Sequence, residues 1–158
     1  MNVQKIYLET TLFNYYFDEA RDGHDATIQL FEAVGRGEYI GYTSEYVLLE
    51  LRSAPEHKMN AMLSLIERYN INVIDADDEA ARLADVYVHC KMIPAQYRMD
   101  GAHIAIASIN ELDCILSFNF QHINKLKTKR MTELINLNEG YKGIIICTPM
   151  EILEDEEH

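Results

Sequence analysis

Cys114-Ile115-Leu116-Ser117 is a short continuous apolar run that breaks at Phe118-Asn119. Such a run reads as a strand buried on both faces, as the strands of a parallel sheet are. Working outward, Asp100 to Asn110 reads as a helix with Ile104, Ile106, Ala107 and Ile109 in or near the core. Lys5-Ile6-Tyr7-Leu8, Tyr39-Ile40-Gly41-Tyr42-Thr43, Ile71-Asn72-Val73-Ile74 and Ile144-Ile145-Ile146-Cys147 are the other strand candidates.

Helical segments separate them. Thr11 to Phe17 is one, with Thr10 or Thr11 as its cap. Asp25 caps a second that runs through Val34, turns Ile28, Phe31 and Val34 inward, and ends at Gly35 and Gly37. Ser44 opens a third, with Val47, Leu48 and Leu51. Pro55 starts a fourth, whose face of Met59, Met62, Leu63 and Ile66 serves either the core or a dimer contact. A fifth runs from about Asp77 to Lys91, its acidic first turn matching the helix dipole. Thr132 to Leu137 is weakly helical, and Thr148-Pro149 begins a last short helix. Strands alternating with helices predict a three-layer α/β domain around a mostly parallel sheet. In such sheets ligands bind beyond the carboxyl ends of the strands.

Composition narrows the chemistry. Fourteen Lys and Arg against 26 Asp and Glu give a net charge of −12 among 158 residues. A bulk electrostatic grip on nucleic acid is excluded by that balance, whereas an acidic site that holds a cation and works on a phosphate is not. A hydrophobic fraction of 48% suits a packed core. The apolar run after Met1 is too short for a signal peptide or a membrane span, so a soluble cytoplasmic protein with no membrane partner is expected. Cys90, Cys114 and Cys147 lack a CxxC pair and read as reduced core residues. One domain is expected over 1–153, with 154–158 as a frayed acidic tail.

Four polar positions stand out. Glu9 directly follows the first strand and Asn119 follows the Cys114 strand, so both emerge at the carboxyl edge of the sheet. Glu50 lies late in its helix between apolar Val47 and Leu51; alone, it reads as readily as a surface glutamate. Asp100 opens an apolar helix, and alone it reads equally as a cap. His103, one turn on, reads as a satisfied core histidine, while His24, His57, His89 and His158 show no ligand spacing. Lys125-Leu126-Lys127-Thr128-Lys129-Arg130 is the one basic cluster, read as a solvated loop or as a phosphate contact. Tyr15, Tyr16, Tyr97 and Phe118 are core edges or base-stacking rings.

Four segments in order carry a family resemblance: Ile6-Tyr7-Leu8-Glu9-Thr10-Thr11, Ser44-Glu45-Tyr46-Val47-Leu48-Leu49-Glu50-Leu51, Met99-Asp100-Gly101-Ala102-His103-Ile104-Ala105-Ile106-Ala107 and Leu116-Ser117-Phe118-Asn119-Phe120-Gln121-His122-Ile123. They resemble the signature segments of the PIN-domain nucleases, the family of VapC-type toxins. The resemblance covers roughly residues 4 to 153. It implies an α/β/α sandwich with a mostly parallel central sheet. It further implies an endoribonuclease that uses Mg2+ or Mn2+ and a metal-activated water, and leaves a 5′-phosphate and a 3′-hydroxyl.

Carried over by position, the family's acidic residues fall on Glu9, Glu50 and Asp100, and its fourth site on Asn119. These four are the implied catalytic and metal-binding residues. The family's hydroxyl falls on Thr11, and His122 matches a histidine of one subgroup. Lys125, Lys127, Lys129 and Arg130 are the candidate RNA contacts. The implied partners are an RNA substrate, an antitoxin protein and a second copy in a homodimer. One departure bears on activity: Glu9 stands where the family usually has Asp. The longer side chain shifts the ion, favours manganese, or leaves a degenerate scaffold that binds RNA or protein without cutting.

Overall fold

The computed structural model of the chain describes residues 2–156. Five strands among these residues form one sheet: β1 (Lys5–Leu8), β2 (Ile40–Ser44), β3 (Asn72–Ile74), β4 (Cys114–Leu116) and β5 (Ile145–Cys147). Their order is β3-β2-β1-β4-β5, and every neighbouring pair is parallel. Parallel neighbours need crossovers, and helices supply them. These are α1 (Thr10–Tyr16), α2 (His24–Gly35), α3 (Glu45–Leu51), α4 (Glu56–Arg68), α5 (Asp78–His89), α6 (Arg98–Ile109), α7 (Leu126–Glu139) and α8 (Pro149–Glu156). The result is the α/β sandwich expected from the alternation of the two periodicities. Among the described residues no helix is long and apolar enough to cross a membrane.

The strand order places the site. From β1 the chain winds outward to β2 and β3, then crosses back to β4 and β5 on the other side of β1. The winding therefore reverses between β1 and β4, where open α/β sheets leave a crevice. Leu8 pairs with Leu116, so Glu9 and Ser117 leave adjacent strands side by side. Ile6, Tyr7 and Leu8 on β1, and Ile115 and Leu116 on β4, are wholly buried, as the unbroken apolar runs require. The edge strands are partly polar or exposed: Asn72 and Val73 on β3, Ile145 on β5.

Several boundaries depart from the sequence reading. Glu9, not a threonine, caps α1, its side chain accepting from Thr11 N. Gly23, not Asp25, caps α2, with φ +97° that favours glycine. α6 starts at Arg98 after a 3-10 turn at Ala95–Tyr97, so Asp100 lies inside the first turn and does not cap it. The acidic residues 154–156 continue α8 rather than fraying, because Ile152 anchors the helix in the core; residues 157–158 lie outside the described residues. Cys90 is exposed at the end of α5, unlike buried Cys114 and Cys147. Met62 is core, and Met59, Leu63 and Ile66 are half-buried beside it.

The largest departure is α7. It contains the Thr132 to Leu137 segment read as weakly helical, but it starts much earlier, so that its first turns carry Lys127, Lys129 and Arg130 of the basic run read as a solvated loop or a phosphate contact. Its buried residues are Thr128, Thr132 and Asn136, while Leu134 and Leu137 are 68% and 76% exposed. The inward polar groups are satisfied: Thr128 Oγ1 donates to His122 O (2.7 Å), Tyr87 Oη donates to Asn136 Oδ1 (2.5 Å), and Asn136 Nδ2 donates to Ser108 Oγ (2.8 Å). A helix with its polar stripe inward carries no apolar signal of the usual kind.

Candidate functional site

Glu9 sits at the carboxyl end of β1 and is 3% exposed. Its Oε1 accepts three hydrogen bonds, from Thr11 N (3.2 Å), Thr11 Oγ1 (2.6 Å) and Ser117 Oγ (2.7 Å). Each hydroxyl is itself fixed from behind. Phe118 N donates to Thr11 Oγ1 (2.8 Å), and Asn119 N donates to Ser117 Oγ (2.9 Å). Two backbone amides thus orient two hydroxyl protons at one carboxylate oxygen. Burial raises the Glu9 pKa, opposed by the charge of His103 and by the Thr11 and Ser117 bonds.

Glu50, on α3, points back to the same place. Its Oε1 accepts from Thr10 Oγ1 (2.6 Å) and lies 2.5 Å from His103 Nε2. His103 is fully buried on α6, and its Nδ1 lies 2.7 Å from Tyr7 Oη. Tyr7 Oη is in turn 2.7 Å from Ser44 Oγ, the cap of α3. Burial raises the Glu50 carboxyl, but the hydrogen bond and charge of His103 and the Thr10 bond outweigh it and hold the pKa below the ordinary value. Burial lowers His103, but Glu50, Glu9 and Asp100 outweigh it and raise its pKa. With His103 protonated, Nδ1–H donates to Tyr7 Oη and Tyr7 donates to Ser44 Oγ.

Asp100 is half-buried in the first turn of α6. Desolvation raises its pKa, opposed by His103, by a hydrogen bond with the Asn119 side chain and by His122, while Glu50 raises it further. Asn119 Oδ1 accepts from His122 N (3.0 Å), which closes the turn after β4. The His122 ring stacks on Tyr97 at 4.0 Å between centroids.

One donor atom each from Glu9, Glu50 and His103 lies within 4.8 Å of the other two. Glu9, Glu50, Asp100 and Asn119, expected together, are thus divided. Glu9 and Glu50 close around His103, and Asp100 with Asn119 forms a second, more open pair coupled to it through charge. Thr11 orients Glu9 and does not join the triad. Lys125 precedes α7, and Lys127, Lys129 and Arg130 lie in its first turns, beyond the His122 turn. Of the aromatic candidates, Tyr15 and Phe118 stack on each other (3.9 Å, 6°), and Tyr16 packs against Phe31 and Tyr69. None of those three is a free stacking ring; Tyr97 is 42% exposed but carries His122.

Sequence reasoning passed over His103, Ser117, Tyr7 and Thr10 as members of the site. A signal existed for His103: a lone histidine inside an otherwise apolar helix needs a buried partner, and an acidic residue at a strand end is a natural one. Ser117 offered none beyond its place two residues before Asn119.

No protein-family model matches the chain, and no curated protein matches it. Solved structures do. The chain is similar to VapBC2 from Rickettsia felis, bound to a DNA fragment from its promoter, with a TM-score of 0.61 and 14% identity over 90% of this chain and 97% of that one. It is also similar to VapC20 of Mycobacterium tuberculosis, a Sarcin-Ricin loop cleaving toxin, with a TM-score of 0.56 and 12% identity over 74% of this chain and 92% of that one. At these identities the likeness establishes the fold, which is that of VapC-type PIN proteins.

Proposed function

We propose that the chain is a metal-dependent endoribonuclease, with Glu9, Glu50, Asp100 and Asn119 as its ion-binding and catalytic residues. The observation that carries this reading is the convergence of Glu9, Glu50 and His103 at the β1–β4 crevice of a VapC-like sheet, with Asp100 and Asn119 beside them.

The donor set fits a divalent ion. Carboxylate oxygens suit Mg2+ and Mn2+, and a neighbouring imidazole nitrogen suits Mn2+ better than Mg2+. Glu9 and Glu50 meet, with Asp100 beside them, and an ion relieves the repulsion among the carboxylates and frees His103 from the proton their charges favour. An ion held there lowers the pKa of a bound water and offsets the charge that grows on a phosphate under attack. The chain's own residues do the positioning. Thr11 and Ser117 fix Glu9, Thr10 and His103 fix Glu50, and the His122 turn fixes Asn119. The extra methylene of Glu9 is taken up by its two hydroxyl partners, which supports an intact site rather than a degenerate one. Water attack on the phosphodiester leaves a 5′-phosphate and a 3′-hydroxyl.

An antitoxin protein, a homodimer and a cytoplasmic setting belong to the same proposal. The likeness to a VapBC assembly supports the first. The test is cleavage of a mixed single-stranded and structured RNA pool with Mg2+, Mn2+ or EDTA, by wild type and Asp100→Asn. Cleavage that needs the ion and vanishes in the variant supports the proposal. A folded wild type that cuts nothing with either ion overturns it, in favour of a scaffold that only binds.

A further inference from the structure

A groove of about 500 Å³ opens beside the site, lined by Thr11, Asn14, Tyr15, Asp18, Arg21 and Lys58, with Phe17 at its rim. It meets the site at Thr11, whose hydroxyl is bonded to Glu9. Two cations from different elements converge on it, Arg21 from the loop after α1 and Lys58 from α4. In a chain of net charge −12 such convergence next to an acidic centre stands out.

The groove is a built feature. Gly23 has φ +97°, and a Cβ there would stand 2.8 Å from Phe118, so the loop closes against the ring that Tyr15 stacks on. His24 Nδ1 bonds to Tyr15 O (2.7 Å), and Thr27 Oγ1 donates to Gly23 O (2.7 Å). This fixed loop holds the Arg21 guanidinium 5.4 Å from the centre of the Tyr15 ring. Asp18 takes the Arg21 Nε–H (3.2 Å), leaving the donors on both terminal nitrogens. Lys58 makes no ion pair among the described residues. Phe118 and Arg21 occupy the Tyr15 ring, whereas Phe17 is 43% exposed.

We propose that this groove binds a nucleotide of single-stranded RNA next to the bond being cut. Arg21 and Lys58 hold its backbone phosphate, and its base rests on Phe17. Resting on the nuclease reading, the assignment adds where the strand runs: from the acidic centre, past Thr11, along α1 toward α4.

The test uses the full chain and a short single-stranded RNA oligonucleotide in EDTA, where the ion-dependent cut is off, with binding followed by fluorescence anisotropy over a range of salt. The variants are Arg21→Gln with Lys58→Gln, Phe17→Ala, and Arg36→Gln as a remote control. The double variant is expected to bind about tenfold more weakly. The slope of log K against log salt should also fall by about 1.4, at about 0.7 for each charge removed from the grip on a single strand. Phe17→Ala should weaken binding roughly tenfold with an unchanged salt slope. The control should match wild type, and RNA cleavage by the double variant should show a raised KM with kcat retained. A wild type that cleaves, with a double variant unchanged in Kd, slope and KM, overturns the groove and leaves the nuclease reading standing. Binding that the groove variants weaken in a chain that cuts nothing supports the groove and removes the nuclease. A wild type that neither binds nor cuts overturns both.

Discussion

Glu50 Oε1 and His103 Nε2 meet at 2.5 Å across 53 residues of sequence, joining α3 to α6 directly beneath the carboxyl edge of the sheet. Neither residue is explained by its own helix. Glu50 is half-buried among apolar neighbours, and His103 is fully buried in a helix that buries eight of its twelve residues. Each removes the other's desolvation cost. Through Tyr7 and Ser44 the link runs on to β1 and to the cap of α3, so the orientation of Glu50 is fixed from the interior.

Replacing His103 with Ala should therefore cost about 3–5 kcal/mol in urea unfolding, because it leaves Glu50 uncompensated and Tyr7 Oη short of a partner. His103→Gln, which keeps a donor, should cost less. Both should weaken Mn2+ binding as read by electron paramagnetic resonance. Equal stability of His103→Ala and wild type would mean that the link carries no energy.

The pH dependence has a definite sign. Glu50 is held below its ordinary pKa, so its contribution is present above about 4.3 and is lost only as pH falls through its folded value. His103 is raised, so its contribution is present below about 6.5 and is lost as pH rises through its folded value. Glu9 and Asp100 are raised too, and what they contribute is lost as pH rises above the ordinary carboxylate range. The Tm of the metal-free chain should thus fall between mildly acidic and slightly alkaline pH. Added Mn2+ should recover part of that loss. A Tm that climbs steadily to pH 8 in EDTA would contradict the assignment.

How much of this was legible depended on which residues do the packing. The central strands were readable because Ile6, Tyr7 and Leu8, like Ile115 and Leu116, are buried on both faces and leave an unbroken apolar run. Glu9 and Asn119 followed from strand ends, a purely local inference. α7 was readable only weakly, over Thr132 to Leu137, since Thr128, Thr132 and Asn136 face inward by bonding to His122, to Met92, and to Ser108 and Tyr87, partners that only the fold brings near. The Glu50–His103 link was hidden for the same reason: Glu50 alone looks like any surface glutamate, and its meaning lies in a contact between distant segments.

Two glycines should respond in opposite ways. Gly23→Ala places a Cβ 2.8 Å from Phe118 at a φ of +97°, so it should destabilise the chain by about 1–3 kcal/mol and loosen the Arg21 loop. Gly101 lies inside α6, and a Cβ there meets Ile93 at 3.4 Å and Tyr87 at 3.6 Å, ordinary contacts. Gly101→Ala should stabilise by about 0.5–1 kcal/mol through helix propensity. Thermal unfolding of the two variants checks both signs at once.

Glu9 offers the sharpest contrast. Shortening it to Asp withdraws the carboxylate by about one carbon–carbon bond, roughly 1.5 Å. Thr11 Oγ1 at 2.6 Å and Ser117 Oγ at 2.7 Å cannot follow, because Phe118 N and Asn119 N hold them from behind. Buried Ser117 and half-buried Thr11 then lose their acceptor, and Glu9→Asp should cost about 2–3 kcal/mol and weaken Mn2+ binding, although Asp is the residue more usual at this place in the family it resembles. Glu9→Gln keeps the length and removes a buried charge that burial already disfavours. It should raise the metal-free Tm by a few degrees and lower Mn2+ affinity at least about tenfold. Thermal shifts with and without Mn2+ read both effects on one instrument. Tighter Mn2+ binding by Glu9→Asp than by wild type would show that the hydroxyls serve the fold alone and that the glutamate is a lesion in the site rather than part of its design.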